Sequence, residues 1–346
     1  MRVLHLPVNM ASQLSTSVRA LRAIGVEARG LSPSRHLTSE IGLETFPSPS
    51  KKNLVQALAA YLVRIHRLVP ALLWADVIHW HYHWGLFNAL DLKLAHHMQK
   101  KRVVEFHGSD IRIPEIEAAD NPYFARIIDK HEYCLEESRA RSVDRQSHFG
   151  SAGATCVIPY EGLRSYLQPA LFSDVRLIRH RLVLDTLTPV YPDPLTTDPM
   201  VLHVSTAPIL KGTAAVESAI QSLIGQITFR YQAALNQPHA HVQELMRRCD
   251  VFIDQMILGS HGVAAVEAMA YGKPVICYIK PSLVDRYPPE LPIIKATSDN
   301  LSIVLSEVLK NGKWRHELGR RGRAYVERYH DARVLAHQLK ALYAGL

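Results

Sequence analysis

The sequence predicts an α/β protein made of two doubly wound, parallel-sheet halves in series, and three observations predict it. Short β-branched or apolar runs alternate with stretches of helical periodicity, as parallel strands joined by crossover helices require. The alternation stops between Leu187 and Met200, where Pro189, Pro192, Pro194 and Pro199 stand among Asp and Thr. It then resumes and runs to the C-terminus. Proline lacks the N–H that ladders and helix interiors need, so the break reads as an extended linker over 188–200. At 346 residues the chain has room for two domains of roughly 150 residues each.

In the first half, Val3–Pro7 reads as a buried strand. Ser15–Ile24 follows as a helix with Val18, Leu21 and Ile24 on its apolar side and Gly25 as its stop. Val26–Leu31 is the second strand. Lys51–Trp74 is a long amphipathic helix interrupted at Pro70. Val77–His81 is a strand, Phe87–Lys100 a helix, Val103–His107 a strand, Phe124–Ala140 a helix and Ala154–Ile158 a strand. Beyond the break, the expected strands are Val201–Ser205, Ile227–Tyr231, Val251–Gln255 and Val275–Tyr278. The helices between them are Thr213–Leu223, His241–Arg248 and Gly262–Tyr271, the last capped by Gly272. Asn300–Lys310, Trp314–Tyr329 and a helix from about Asp331 close the chain.

Apolar residues make up 47% of the chain and charged residues 21%, which excludes disordered and fibrous classes. The best apolar stretch, Leu68–Trp80, is broken by Pro70 and Asp76, short of the ~18 residues a membrane span needs. Met1–Leu14 carries Arg2, His5, Pro7 and Asn9 where an export signal needs an unbroken apolar region. The expectation is a cytoplasmic protein. Cys134, Cys156, Cys249 and Cys277 show neither close pairing nor metal-ligand spacing and read as reduced, buried thiols. The unusual bulk property is a net charge of +8, supplied by 27 Arg against 13 Lys. It is concentrated at the ends, with 9 Lys/Arg against 3 Asp/Glu in residues 1–75 and 8 against 3 in residues 313–346. Such a surface suits nucleic acid, anionic lipid or a phosphorylated substrate.

Ligands of open parallel sheets bind at the carboxyl ends of the strands, which selects a few loops. In His107-Gly108-Ser109-Asp110, the glycine lets the chain turn and the flanking residues offer polar groups, unless Asp110 simply bonds local amides. In the loop His203 to Thr213, Lys211 stands before a helix start. A cation there is unfavourable unless an anion lies between, which argues for a phosphate site. The stretch Asp254 to Pro274 is the most specific. Gly259 and Gly262 allow close backbone approach, and the following turn, Val263-Ala264-Ala265, leaves the amides uncrowded for an anion. Glu267, one turn in, can accept hydrogen bonds from ribose hydroxyls, or serve as a structural cap or ion pair. In His79-Trp80-His81-Tyr82-His83-Trp84, alternate histidines share a face and so resemble a metal site, but no Cys or carboxylate set accompanies them. Lys51, Lys52, Arg64 and Arg67 flank Leu54, Leu58, Leu62 and Val63. That helix can lie on an anionic membrane or pack a core face.

Together these residues resemble glycosyltransferases of the two-Rossmann architecture, the GT-B fold, in the retaining family 4 group (glycosyl transferases group 1). The resemblance is densest over residues 200–280. It rests on Gly262–Pro274 with its Glu-Ala-Met-Ala and Gly-Lys-Pro-Val, on Lys-Gly-Thr at 211–213, and on His-Gly-Ser-Asp at 107–110. It implies two doubly wound domains facing a central cleft. Residues 1–187 would form the acceptor-side domain and 201–328 the nucleotide-sugar domain, with 329–346 a helix returning to the first. By resemblance, Lys211 contacts the donor diphosphate, and Gly262, Val263 and Ala264 give it backbone amides. Glu267 binds the nucleotide ribose, and His107 reaches the donor sugar. Two positions depart from the family pattern. Gly259 stands where many relatives have a glutamate, and Pro208 where most have an arginine.

The implied activity is transfer of a sugar, with retention, from a nucleoside diphosphate sugar to an acceptor hydroxyl in glycan or glycoconjugate biosynthesis. Lys211 and the helix end at Gly262 would stabilise the leaving diphosphate, so no cofactor and no metal is expected. The acceptor would be a glycan, a lipid-linked or a small molecule. Peripheral contact with the anionic inner face of the membrane is expected, and nucleic-acid binding is not. Two other classes remain open: a GT-B protein that binds without catalysing, motivated by Pro208 and Gly259, and a sugar-nucleotide epimerase. Base selection would rest near Leu235 to His239.

Overall fold

The computed structural model describes residues 1–33, 41–47, 53–130, 132–133 and 136–346. Lys51, Lys52 and Cys134 lie outside them. The strands are β1 (Arg2–Pro7), β2 (Glu27–Pro33), β3 (Glu44–Phe46), β4 (Val77–His81), β5 (Lys101–Glu105), β6 (Thr155–Ile158), β7 (Val175–Leu177), β8 (Met200–Ser205), β9 (Arg230–Leu235), β10 (Val251–Ile253), β11 (Val275–Cys277) and β12 (Ile294–Lys295). The helices of the first half are α1 (Gln13–Ala23), α2 (Leu54–Trp74), α3 (Leu90–His97), α4 (Pro114–Asp120), α5 (Pro122–Asp129) and α6 (Arg139–Ser151). Those of the second are α7 (Pro208–Lys211), α8 (Thr213–Leu223), α9 (His239–Arg248), α10 (Val263–Ala270), α11 (Pro281–Val284), α12 (Leu301–Lys310), α13 (Gly312–Tyr329) and α14 (Ala332–Gly345).

Two compact units result. The first comprises residues 1–114, 137–183 and 332–346, the second 115–136 and 184–331. The first unit's sheet has the order β3-β2-β1-β4-β5-β6-β7, with every pairing parallel. The order reverses between β1 and β4, a doubly wound switch point. On one face, Leu14, Val18 and Leu21 of α1 and Leu335, Leu339 and Tyr343 of α14 pack over Val3, Val77 and Val103. The last helix thus belongs to the unit that the first strand opens.

The second sheet has the order β12-β11-β10-β8-β9, again all parallel. Its switch point lies between β8 and β10. Phe124 and Ile127 of α5 pack into its core with Val201, Val216, Ile253 and Leu305. Residues 115–136 therefore belong to the second unit, although they interrupt the first in sequence and the sequence reading placed them within 1–187. Asn121 caps α5 by accepting from the amides of Tyr123 and Phe124, and its Nδ2 donates 2.7 Å to the carbonyl of Ile257. The proline-rich segment, expected as a linker over 188–200, is part of this unit, whose longer segment begins at Leu184. Val190 N–H donates 2.9 Å to Tyr271 O, and His316 Nδ1 is 2.9 Å from Pro192 O.

Several expected elements differ. The helix expected over 124–140 is two helices, α5 and α6, each with its own cap (Asn121 and Ser138). The second strand of the second half starts at Arg230 and not Ile227, because its ladder to β8 runs from Met200↔Arg230 to Ser205↔Leu235. Strands β3, β7 and β12 are too short to register as periodicity. Helix α2 has 21 residues and a mean hydropathy of 1.3, long and apolar enough to cross a membrane by length and composition alone, contrary to the expectation that no such stretch exists. Arg64 and Arg67 sit in its middle, and Arg64 lies 4.8 Å from the Phe46 ring in the same unit. Cys156, Cys249 and Cys277 are free and buried. Burial pushes the Cys249 thiol up to about 12, as for an inert core thiol.

Candidate active site

The second unit's switch point gathers most of the residues singled out in its sequence. Strand β8 leads through α7 to Lys211, and β10 leads to Asp254 and on to the start of α10 at Gly262. Lys211 Nζ donates 2.7 Å to Asp254 Oδ1, and the Gly262 amide donates 2.7 Å to Asp254 Oδ2. Asp254 is fully buried. Burial would raise its pKa, but Lys211 and the Gly262 amide outweigh that and hold the carboxyl below its ordinary range. Asp254 is thus the anion between Lys211 and the start of α10, a different helix from the one beginning at Thr213 beside the lysine. A phosphate there would meet Lys211 already placed, with a buried carboxylate behind it.

Two glycines permit this arrangement. Gly212 has φ +73°, and a Cβ there would lie 2.9 Å from Met256 Cβ. A Cβ on Gly262 would come 3.1 Å from Lys211 Nζ. Pro208, the departure from arginine, is the first residue of α7, where its missing N–H costs nothing. Gly259, the departure from glutamate, has φ +65°, and the stem of Lys280 fills the space beside it at 3.0–3.1 Å. The Lys280 ammonium lies buried between Glu117 (3.1 Å) and Asp120 (3.0 Å) of α4.

Val263 and Ala264 open α10 half-exposed, while the rest of that helix is buried. Glu267 Oε1 accepts 2.8 Å from His239 Nε2, at the start of α9. That hydrogen bond raises the His239 pKa above its ordinary value, against the opposing effect of burial. The ion-pair alternative for Glu267 therefore holds in this structure. It also brings the loop after β9, expected to select the base, to the carboxylate expected to hold the ribose.

In the first unit, Gly108 turns the chain after β5 with φ +133°. Asp110 accepts from the amides of His107 (2.8 Å) and Gly108 (2.7 Å), so it builds the turn. Burial pushes its carboxyl up to about 6 despite these amides. The His107 side chain turns inward. Its Nε2 is 3.1 Å from His81 Nδ1, and burial pushes its pKa down to about 4. His79 and His81 share the buried face with it. His83 lies past the strand, its Nδ1 2.5 Å from Trp84 O. His5, Glu105, Arg181 and Tyr343 complete the cluster.

Residues 226–325 match the family described as glycosyl transferases group 1. No curated protein matches the chain in sequence. Among solved structures, Anabaena HepE in complex with UDP and glucose aligns with a TM-score of 0.69 at 12% identity, covering 100% of both chains. Sucrose-phosphate synthase from Thermosynechococcus elongatus aligns with a TM-score of 0.66 at 15% identity, covering 100% of this chain and 99% of that one. WaaG, a glycosyltransferase involved in lipopolysaccharide biosynthesis, aligns at 0.57 and 12%, covering 100% of both. The chain has the GT-B fold.

Within the GT-B fold the sequence reading missed Asp254 as the partner of Lys211, His239 as the partner of Glu267, and the histidine cluster's His5, Glu105, Arg181 and Tyr343. A signal existed for two of them. His5 in β1 and Glu105 in β5 have the same in-out parity as His79 and His81. The ladder pairs His5↔His79 and His81↔Glu105. Register is a tertiary property, so parity alone did not align them.

Proposed function

We propose that this GT-B protein transfers a sugar, with retention, from a nucleoside diphosphate sugar to an acceptor hydroxyl, in glycan or glycoconjugate biosynthesis. The observation that carries the reading is the convergence at the second switch point. Lys211 and the start of α10 share Asp254, and that helix start and Glu267 lie within residues 226–325, the segment that matches glycosyl transferases group 1. HepE has been solved with UDP and with UDP-glucose, and a trehalose-6-phosphate synthase that aligns with a TM-score of 0.59 was studied for glycosyl transfer with retention. In the proposed reaction the bond from the anomeric carbon to the diphosphate breaks and a bond to the acceptor oxygen forms. The acceptor proton passes to the leaving phosphate oxygen. Charge develops on that diphosphate, where Lys211 and the amides of Gly262, Val263 and Ala264 would receive it, so the reaction needs no metal. Glu267 would hold the ribose, and His107 is the residue proposed to contact the donor sugar.

Peripheral contact with an anionic membrane is part of the proposal. Leu54, Val55, Leu58 and Leu62 form an exposed apolar face on α2, with Phe87 beside it through a 3.4 Å contact of its amide to the Tyr61 hydroxyl. A cytoplasmic location is part of the same proposal.

Calorimetry with UDP, GDP and ADP, followed by turnover of the matching nucleotide sugars, tests the reading. Lys211→Ala is expected to abolish turnover and weaken nucleoside diphosphate binding at least tenfold. Unchanged kinetics would sink the assignment. A folded protein that binds none of the three nucleotides would support a non-catalytic binding role. Conversion of a nucleotide sugar without acceptor would identify an epimerase.

A further inference from the structure

The first unit buries four imidazoles, a tyrosine, a carboxylate and a guanidinium together beneath α14. Each of these side chains is at most 3% exposed. Such a group is costly to bury unless its hydrogen bonds close. The contacts run in one chain. Glu105 Oε2 is 3.3 Å from His79 Nε2, and His79 Nδ1 is 2.6 Å from the Tyr343 hydroxyl. That hydroxyl is 3.4 Å from His5 Nε2, and His5 Nδ1 is 2.9 Å from His81 Nε2. His81 Nδ1 is 3.1 Å from His107 Nε2. At the far end His107 Nδ1 has no hydrogen-bond partner among the described residues and lies 4.0 Å from Glu105 Oε1.

One proton sits in each link, so the direction of any link fixes the rest. Arg181 Nη2 donates to both oxygens of Glu105, at 2.7 and 2.8 Å, and holds the carboxylate ionised despite its burial. An ionised carboxylate only accepts. Three imidazole nitrogens face it, at 3.3 Å (His79 Nε2), 3.7 Å (His81 Nδ1) and 4.0 Å (His107 Nδ1). Neither His79 Nε2 nor His107 Nδ1 completes a hydrogen bond, but His79 Nε2 lies nearer the carboxylate, at 3.3 Å against 4.0 Å, so the anion favours the His79 proton on Nε2. A neutral His79 then accepts at Nδ1 from the Tyr343 O–H. The Tyr343 oxygen accepts from His5 Nε2–H, His5 Nδ1 accepts from His81 Nε2–H, and His81 Nδ1 accepts from His107 Nε2–H. Burial favours the neutral form of every ring.

We infer that Glu105 sets the tautomer of His107 through this chain, holding His107 with its proton on Nε2 and a lone pair on Nδ1. Glu105, His79, Tyr343, His5 and His81 are positioning residues. Tyr343 brings a side chain of α14 into the relay. The relay is independent of the sugar-transfer reading. The opposite register, with His107 Nδ1–H donating to Glu105, would need the 4.0 Å gap to close. The same atoms offer a rival use. His5, His79 and His81, or His81, Glu105 and His107, place ligand atoms within 4.8 Å of one another, the spacing of a metal centre.

Long-range proton–nitrogen NMR on the full chain with labelled histidine decides between these, with His107→Gln used to assign the resonance. The wild type is expected to show His107 as the Nε2–H form. Tyr343→Phe keeps the ring but cuts the link between His79 and His5, and His107 is then expected to gain the Nδ1–H form. Lys101→Met removes the 2.9 Å bond from Lys101 Nζ to Tyr343 O without touching the relay, and should leave the tautomer unchanged. An Nδ1–H tautomer in the wild type overturns the proposal, as does a Tyr343→Phe spectrum identical to it. Stoichiometric metal found by elemental analysis, with nitrogen shifts of coordinated rings, also overturns it. The wild-type spectrum decides even if the Phe variant does not fold.

Discussion

At the residue scale, the informative pair is His239 and Glu267. Their 2.8 Å contact raises the His239 pKa, so the folded state holds that proton more tightly than the unfolded chain. By linkage this contribution to stability is fully present below the unfolded histidine value of about 6.5. It is lost as pH rises through the higher folded value. If Glu267 receives a ribose, the nucleotide competes with His239 for it. UDP affinity measured by calorimetry is therefore expected to rise across that window while the stability of the free protein falls, and His239→Gln should flatten both trends. An unchanged pH profile in the Gln variant would remove His239 from the site. Glu267 was legible in the sequence because a carboxylate in the apolar run Val266–Ala270 must have a partner. His239 was not, because 28 residues separate the two and only the sheet order brings β9 beside β8.

At the scale of elements, the switch between α7 and α8 depends on Gly212. Its φ of +73° is strained for any residue with a Cβ, and the added carbon would press on Met256, whose amide donates 3.0 Å to Lys211 O. Gly212→Ala is expected to lower stability by about 1–2 kcal/mol from the left-handed backbone. Urea unfolding, with calorimetry for nucleotide, would show loss of both stability and affinity. Stability equal to wild type would mean that the turn adjusts. The helices and strands that sequence periodicity found are those long enough for the period to repeat, such as α1, α8, α12 and α13. Where the sequence joined α5 to α6, the apolar positions alone could not show that each helix starts from its own cap. Nor could they show that Phe124 and Ile127 face the second core. Periodicity says that a face is buried, not which core receives it.

At the scale of the whole molecule, the net charge of +8 divides sharply. The first unit holds 23 Lys/Arg against 11 Asp/Glu, the second 17 against 21. The surplus thus belongs to the unit that carries the exposed apolar face of α2. Apolar anchors beside a basic surface suit peripheral binding to anionic lipid. Co-sedimentation with vesicles containing anionic lipid is expected to exceed that with neutral vesicles, to weaken with salt, and to fall at least fivefold in a Leu58→Glu, Leu62→Glu double variant. Binding that ignores lipid charge would count against the proposal.

The sequence by itself determined the number of α/β halves and the loops at their strand ends. Those follow from local properties: apolar period, proline's missing donor, and glycine where a strand meets a helix. Only the tertiary structure decided that residues 115–136 join the second unit, that Asp254 stands behind Lys211, and that four polar side chains from two strands and the last helix link Glu105 to His107. Each of these depends on register and strand order. Those are set by packing of distant segments against a shared core, and no local window of sequence contains that information.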